Sequence, residues 1–488
     1  MARRSAVTSG GERSLVTRFG ARRARVKEIR RFRNHAAAAP WHRHLWLHVG
    51  MRRTLAHLLA VLVAASCVLV AAPAGAATTA PSLVLGTDFP DPDILKVGGT
   101  YHAYSTNNGN GNVPVATASA LTGPWTRRAD ALPTLGAWAS GGLTWAPDVS
   151  RRADGTYLLY YTARSRAAGR QCIGAATSTS PLGPFAPVGS GPLVCDAAEG
   201  GDIDPSSFVD TDGRRYLLYK DDGNAVGQPT SLWAQAVAAD GVTLQGGRVE
   251  LLRSGRAEEA GVIEAPVLTR VGAHYVLFYS LGGYGGDGYQ TSYASATSLA
   301  GPYTKAYRSL LTTASLDGAV RGPGGADVVR EAGGDRLVFH GWVNDYSARG
   351  MYVADLGWAG DNPVVRGSRV RYEAERGTLN HCAVRSTATA SQGQVAAYLD
   401  YADSWVEVSV FAPRAGGYTA YVGYSAGYGD AEHTLTVNGG GAQVVAYPNT
   451  GWETWRQVRA DVVLNAGWNT LRLTRRSRWA ELDYLEIA

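Results

Sequence analysis

From residue 91 onward, short apolar runs alternate with turns of Gly, Asp and Pro, and no stretch sustains the periodicity of an amphipathic helix. Five stretches share one layout: an acidic residue beside proline or glycine, a short apolar strand, a polar Gly-rich turn, then an aromatic or aliphatic strand. They are DPDILKVGGTYHAYS from Asp91, APDVSRRADGTYLLYYT from Ala146, IDPSSFVDTDGRRYLLYK from Ile203, IEAPVLTRVGAHYVLFYS from Ile263 and ADVVREAGGDRLVFHGW from Ala326. The acidic residues at their heads, Asp91, Asp148, Asp204, Glu264 and Asp327, are spaced 57, 56, 60 and 63 residues apart. A further short strand follows each hairpin, often closed by a Gly-Pro-aromatic turn.

An all-strand repeat of this length predicts a five-bladed β-propeller over residues 82–368, with one four-stranded sheet per repeat. Inner strands of a propeller start at one axial face, so the five acidic heads are expected to converge on one end of the central channel. Mutual repulsion makes such a ring costly for packing alone, which points to chemistry.

Near residue 370 the texture changes. WVEVSVF, YTAYVGYS, HTLTVNG, WNTLRLTRR and ELDYLEI alternate without the repeat's layout, predicting a β-sandwich (jelly-roll) module over residues 371–488. The fold class is therefore all-β.

Charge and export follow from the other end of the chain. Residues 51–76 combine two arginines, a long apolar run and small residues ending in Ala74-Gly75-Ala76, the layout of a secretory signal peptide cleaved after Ala76. Residues 1–50 are expected to be a disordered, non-native extension ahead of a true start at Met51. Removing the 14 basic and 2 acidic residues of segment 1–76 leaves 33 against 39, a net −6 in place of +6. That sign removes the support for nucleic-acid binding. The expected product is a secreted, extracellular protein, free of the membrane after cleavage, and a monomer. Three cysteines remain, and Cys172 and Cys195, which flank one hairpin-like stretch, are expected to pair.

The motifs PDPDI at 90–94, WAPDV at 145–149, IDPSSFVDTDG at 203–213 and EAPVL at 264–268 stand in order at blade spacing. In them the chain resembles glycoside hydrolase family 43, five-bladed propellers that cleave arabinofuranosyl and xylosyl linkages. The resemblance implies Asp91 as general base, Glu264 as general acid and Asp204 as the group that tunes and orients the acid. It gives Asp148 and Asp327 no catalytic role, so they are expected to be turn carboxylates accepting backbone amides. It further implies substrate contacts from Trp145, His340 and Arg321. His340 corresponds to a channel histidine that in relatives contacts a hydrated cation through water; a core histidine bonded to a backbone carbonyl is the alternative. Many relatives read GPGH where this chain reads GPGG, leaving Gly325 in place of a second histidine.

The last segment resembles carbohydrate-binding modules of families 6 and 35, through YEAE at 372–375, GWETW at 451–455, AGWNTLRL at 466–473 and LDYLEI at 482–487. The resemblance implies a structural calcium on Glu373, Glu375 and Asp483, hard oxygen donors of the kind calcium takes. Tyr424, Tyr428, Trp452 and Trp479 are the aromatic candidates for stacking on sugar rings. Glu481 stands where relatives often carry an asparagine that touches ligand.

The implied function is inverting hydrolysis of α-L-arabinofuranosyl linkages in plant cell-wall arabinan or arabinoxylan, as an arabinofuranosidase or endo-1,5-arabinanase. Two carboxyl groups suffice for it: one protonates the leaving oxygen and one deprotonates water, so no cofactor is required for the chemistry. A β-xylosidase of the same family is one alternative; a non-catalytic glycan-binding protein is another, from a different class.

Overall fold

The computed structural model describes residues 80–488, so the expected extension and signal peptide lie outside the described residues. Five sheets follow one another along the chain as blades, and their inner strands are Asp93–Val97, Ala139–Arg151, Asp202–Val209, Ile263–Val271 and Arg321–Val329. Each inner strand touches the next and the fifth touches the first, which closes the ring. Among the described residues the helical elements are short 3-10 turns. The expectation of an all-β propeller followed by a sandwich is met.

The fifth blade takes its outer strand from the other end of the chain. Ser82–Leu85 pairs antiparallel with Ala348–Ala359, Ser82 opposite Val353, so the first and last parts of the propeller share one sheet. Such pairing covers an edge that would otherwise remain open.

A break in four of the five inner strands decides what the channel contains. The ladder register jumps between Trp145 and Asp148, Ile203 and Ser206, Glu264 and Val267, and Gly324 and Asp327. At each break, and just before the first inner strand, one residue has positive φ: Asp91 (52°), Ala146 (40°), Asp204 (54°), Ala265 (51°) and Gly325 (59°). Four of these carry a side chain in a region L-residues disfavour, and a proline follows each of those four.

This corrects the sequence alignment of the acidic heads. The backbone equivalents of Asp91 are Ala146, Asp204, Ala265 and Gly325. Asp148 and Asp327 fall two residues later, level with Asp93, and about one strand repeat deeper in the channel. The five acidic heads therefore form two levels rather than one ring, because matching on acidity overlooked a backbone break that only φ reveals.

The deeper level staples blades together. Asp93 accepts the Val149 N–H at 2.8 Å, Asp148 accepts the Ser207 N–H at 3.0 Å and hydroxyl at 2.5 Å, and Asp327 accepts the Ile94 N–H at 2.9 Å. Burial pushes Asp327 up to about 7, and burial with the charges of Asp148 and Asp327 pushes Asp93 up as well.

Cys172 and Cys195 form a disulfide, while Cys382 is free. Beyond Val365 two sheets of six and five strands face each other across a core that includes Val408, Val422, Leu471 and Leu485. Arg414 pairs with Asp355 at 2.7 Å and Tyr421 donates to Asp317 at 2.8 Å, tying this sandwich to the propeller.

Candidate active site

Asp91 is gripped from three sides. The Thr106 hydroxyl donates to Oδ2 at 2.5 Å and itself accepts the Ala146 N–H at 2.9 Å, which fixes its direction. The Asp91 N–H donates to His340 Nδ1 at 3.1 Å, and Arg349 stands 3.6 Å from Oδ1. Burial disfavours the charged form, but Arg349, His340 and Thr106 outweigh it and hold the carboxyl well below the usual range. Asp91 is thus an ionised, oriented carboxylate, a proton acceptor.

His340 is fully buried and burial lowers its pKa, so it is neutral. Nδ1 lies 3.1 Å from the Asp91 amide nitrogen and 3.3 Å from Asp91 Oδ1, and Nε2 is without a protein partner. The ring stacks on Tyr289 at 5.7 Å and 11°. A Cβ on Gly325 would lie 2.7 Å from His340 Nδ1 and 3.0 Å from Asp91 Oδ1, so the departure from GPGH is what lets His340 and Asp91 meet here.

Across this stack lies Glu264. Tyr289 donates to Oε1 at 2.7 Å, and Lys220 donates to Oε2 at 3.1 Å. Asp204 belongs to the same group: its Oδ2 accepts the Ala265 N–H at 3.0 Å. Burial and then the charge of Glu264 push Asp204 up to about 8, against the opposing pull of Lys220. Asp204 thus keeps a proton at neutral pH. Asp91, from the first blade, and Glu264, from the fourth, are linked through the His340–Tyr289 stack, and each carboxyl keeps some exposure at 20% and 14%.

Sequence reasoning missed Lys220, Tyr289, Thr106 and Arg349. Lys220 had a signal, since YLLYKDD carries its lysine into the buried run of a strand. The others had none, as nothing local marks which turn residue meets a distant carboxylate. Trp145 sits half-buried at the break, one residue before Ala146 as Glu264 is before Ala265. Arg321 is exposed and donates to the Tyr346 hydroxyl at 2.9 Å. A cavity of about 1050 Å³ lies between Tyr307 and the module's Glu407 and Trp468, and its lining contains none of these acids.

In the module, Tyr398, Tyr428, Trp452 and Trp479 line a cavity of about 400 Å³ with Arg385 and Glu481. Tyr428 meets Trp452 and Trp479 edge-on at 5.3 and 5.1 Å. Tyr424 does not join them; it is buried in the core, packs on Tyr447 at 4.8 Å and donates to the Pro448 carbonyl. Glu481 is held by Arg385 at 2.6 and 2.8 Å.

Glu373 and Asp483 share Ser391, whose hydroxyl donates to them at 2.6 and 2.9 Å. Glu375 is buried with Oε2 unpartnered, and burial together with the charges of Glu373 and Asp483 pushes it up. Among the described residues no three such side chains converge closely enough to grip an ion, though hard oxygens and an orphaned carboxylate atom suit calcium.

The family model described as Glycosyl hydrolases family 43 matches residues 81–362, and Carbohydrate binding module (family 35) matches residues 370–488. A Beta-D-galactofuranosidase of Aspergillus niger is 30% identical over 190 residues, 36% of this chain and 49% of that protein, so the match spans about half of its length. Extracellular endo-alpha-(1->5)-L-arabinanase 1 of Bacillus subtilis is 28% identical over 296 residues, covering 56% and 86% of the two chains. The crystal structure of a thermostable family-43 glycoside hydrolase superposes with a TM-score of 0.52 at 25% identity, covering 57% of this chain and 93% of that one.

Proposed function

The chain belongs to glycoside hydrolase family 43, with a family 35 carbohydrate-binding module, and from that membership we propose a secreted, inverting hydrolase of α-L-arabinofuranosyl linkages in arabinan or arabinoxylan. One observation carries the reading: Asp91, held by Thr106, His340 and Arg349, and the neighbouring Asp204 and Glu264 reach one site from three different blades.

In this reading water enters on the Asp91 side of the sugar. Asp91 takes a proton as the water oxygen bonds to the anomeric carbon, while Glu264 delivers a proton to the departing glycosidic oxygen. The bond breaks with its electron pair going to that oxygen, and the anomeric configuration inverts. Inversion asks for a carboxyl separation of roughly 6.5–9.5 Å, room for one water between acid and base. Asp204, buried beside Glu264 and holding a proton at neutral pH, orients and tunes the acid.

The arabinanase relative, matched over 86% of its length, supports arabinan as substrate. The galactofuranosidase relative supports a second reading, since both sugars are five-membered furanosides and differ chiefly in the exocyclic arm. The signal-peptide pattern and the Cys172–Cys195 disulfide support export. Calcium on Glu373, Glu375 and Asp483 belongs to this proposal as a structural ion.

Proton NMR of the first products from arabinan tests it. Release of the β-anomer of arabinose or of arabino-oligosaccharides is expected. Release of the α-anomer would overturn inversion, and turnover of galactofuranosides alone would favour the second reading.

A further inference from the structure

Both oxygens of Glu264 are already occupied. Oε2 accepts from Lys220 at 3.1 Å and Oε1 from the Tyr289 hydroxyl at 2.7 Å. Lys220 is 1% exposed, on the second strand of the third blade, and its other carboxylate neighbour, Asp222, is more distant at 3.5 Å. Tyr289 is 2% exposed and immediately precedes the third strand of the fourth blade. Two blades thus hold one carboxylate from both ends.

Burying an ammonium costs several kcal/mol, and an apolar pair of similar volume would often serve stability as well. A demand from chemistry explains it better. Glu264 and Asp222 both accept from Lys220, and the surrounding carboxylate charge outweighs burial to keep it protonated. The hydrogen bonds on Glu264 are those of a carboxylate that has already given up its proton.

We propose that Lys220 and Tyr289 are positioning residues that stabilise Glu264 as it becomes charged during departure of the leaving group. This rests on reading Glu264 as the general acid. As the C–O bond breaks, the proton passes from Glu264 to the glycosidic oxygen, and the negative charge left behind meets an ammonium and a hydroxyl already in place. Preorganised donors of this kind act without reorganising at the moment of reaction. Lys220 retains its own proton throughout.

The consequence depends on the leaving group, which separates the proposal from a merely structural role. An aryl leaving group such as 2,4-dinitrophenolate needs no protonation, whereas an arabinosyl alkoxide does. In Lys220→Met, kcat on arabinan is expected to fall roughly 10²-fold while kcat on 2,4-dinitrophenyl arabinofuranoside changes less than about 5-fold. An equal fall on both substrates, or no fall on arabinan, would overturn it.

Should Lys220→Met fail to fold, Tyr289→Phe removes one hydroxyl only. A steeper dependence of its rate on leaving-group acidity supports the proposal, and an unchanged slope overturns it. Glu264→Gln run alongside separates the two levels. If it shows the leaving-group signature and Lys220→Met does not, only this inference fails; if Glu264→Gln lacks the signature, the acid assignment itself fails.

Discussion

Asp91 and Asp93 stand two residues apart and serve different ends: Asp91 faces Thr106, His340 and Arg349, whereas Asp93 accepts the Val149 N–H of the next blade at 2.8 Å. The positive φ at Asp91 makes the division, since it separates the Asp91 carboxylate from the strand that Asp93 anchors.

Substituting Asp91 by Asn is expected to lower kcat about 10²–10⁴-fold on arabinan and on 2,4-dinitrophenyl arabinofuranoside alike, because water needs a base whatever departs. Steady-state rates on the two substrates are the measurement. A variant that spared the aryl substrate would contradict the base assignment.

The alkaline limb of the kcat/KM profile is expected near pH 8, where the proton held on Asp204 is lost. Asp204 also acts on stability. Its folded pKa lies above the unfolded value near 3.8, so its contribution is complete at low pH, declines above pH 4 and is spent past 8. Asp204→Asn should therefore lose activity while melting at a higher temperature than the parent at pH 9, as scanning calorimetry would reveal.

Trp452→Ala and Trp479→Ala should each weaken retention on insoluble polysaccharide by roughly 2–10-fold, an aromatic contact being worth about 0.5–1.5 kcal/mol. Hydrolysis of a soluble aryl glycoside should not change. Tyr424→Phe, by contrast, removes a buried hydrogen bond and should affect melting rather than affinity gels.

His433 lies fully buried in the module with both ring nitrogens unpartnered, and burial pushes it down to about 3. A depressed pKa means the folded state loses stability as pH falls from about 6.5 toward 3, by roughly 1.4 kcal/mol per unit. His433→Leu should raise the melting temperature at pH 4.5 more than at pH 7.5, monitored by circular dichroism.

Calcium at millimolar concentration is expected to raise the melting temperature, and a chelator to lower it, if Glu373, Glu375 and Asp483 bind the ion. Glu375→Gln should abolish the response. An identical melting curve with and without the metal would remove calcium from the module.

The sequence by itself determined the strands, the five repeats, the change of texture near residue 370 and the acids worth testing, because strand period, turn chemistry and motif spacing are local properties of a chain. It also marked Cys172 and Cys195, whose pairing needs only one blade and the segment beside it. Tertiary structure alone decided the rest. Asp148 and Asp327 looked equivalent to Asp91 until a positive φ, invisible in one-letter code, moved them one level deeper. Tyr424 looked like a surface ring until the sandwich closed over it. Lys220 and Tyr289 meet Glu264 from 44 and 25 residues away, and His340 reaches Asp91 across 249. Closing a ring brings together residues that no local pattern relates, and it is there that charge, burial and distance set the chemistry.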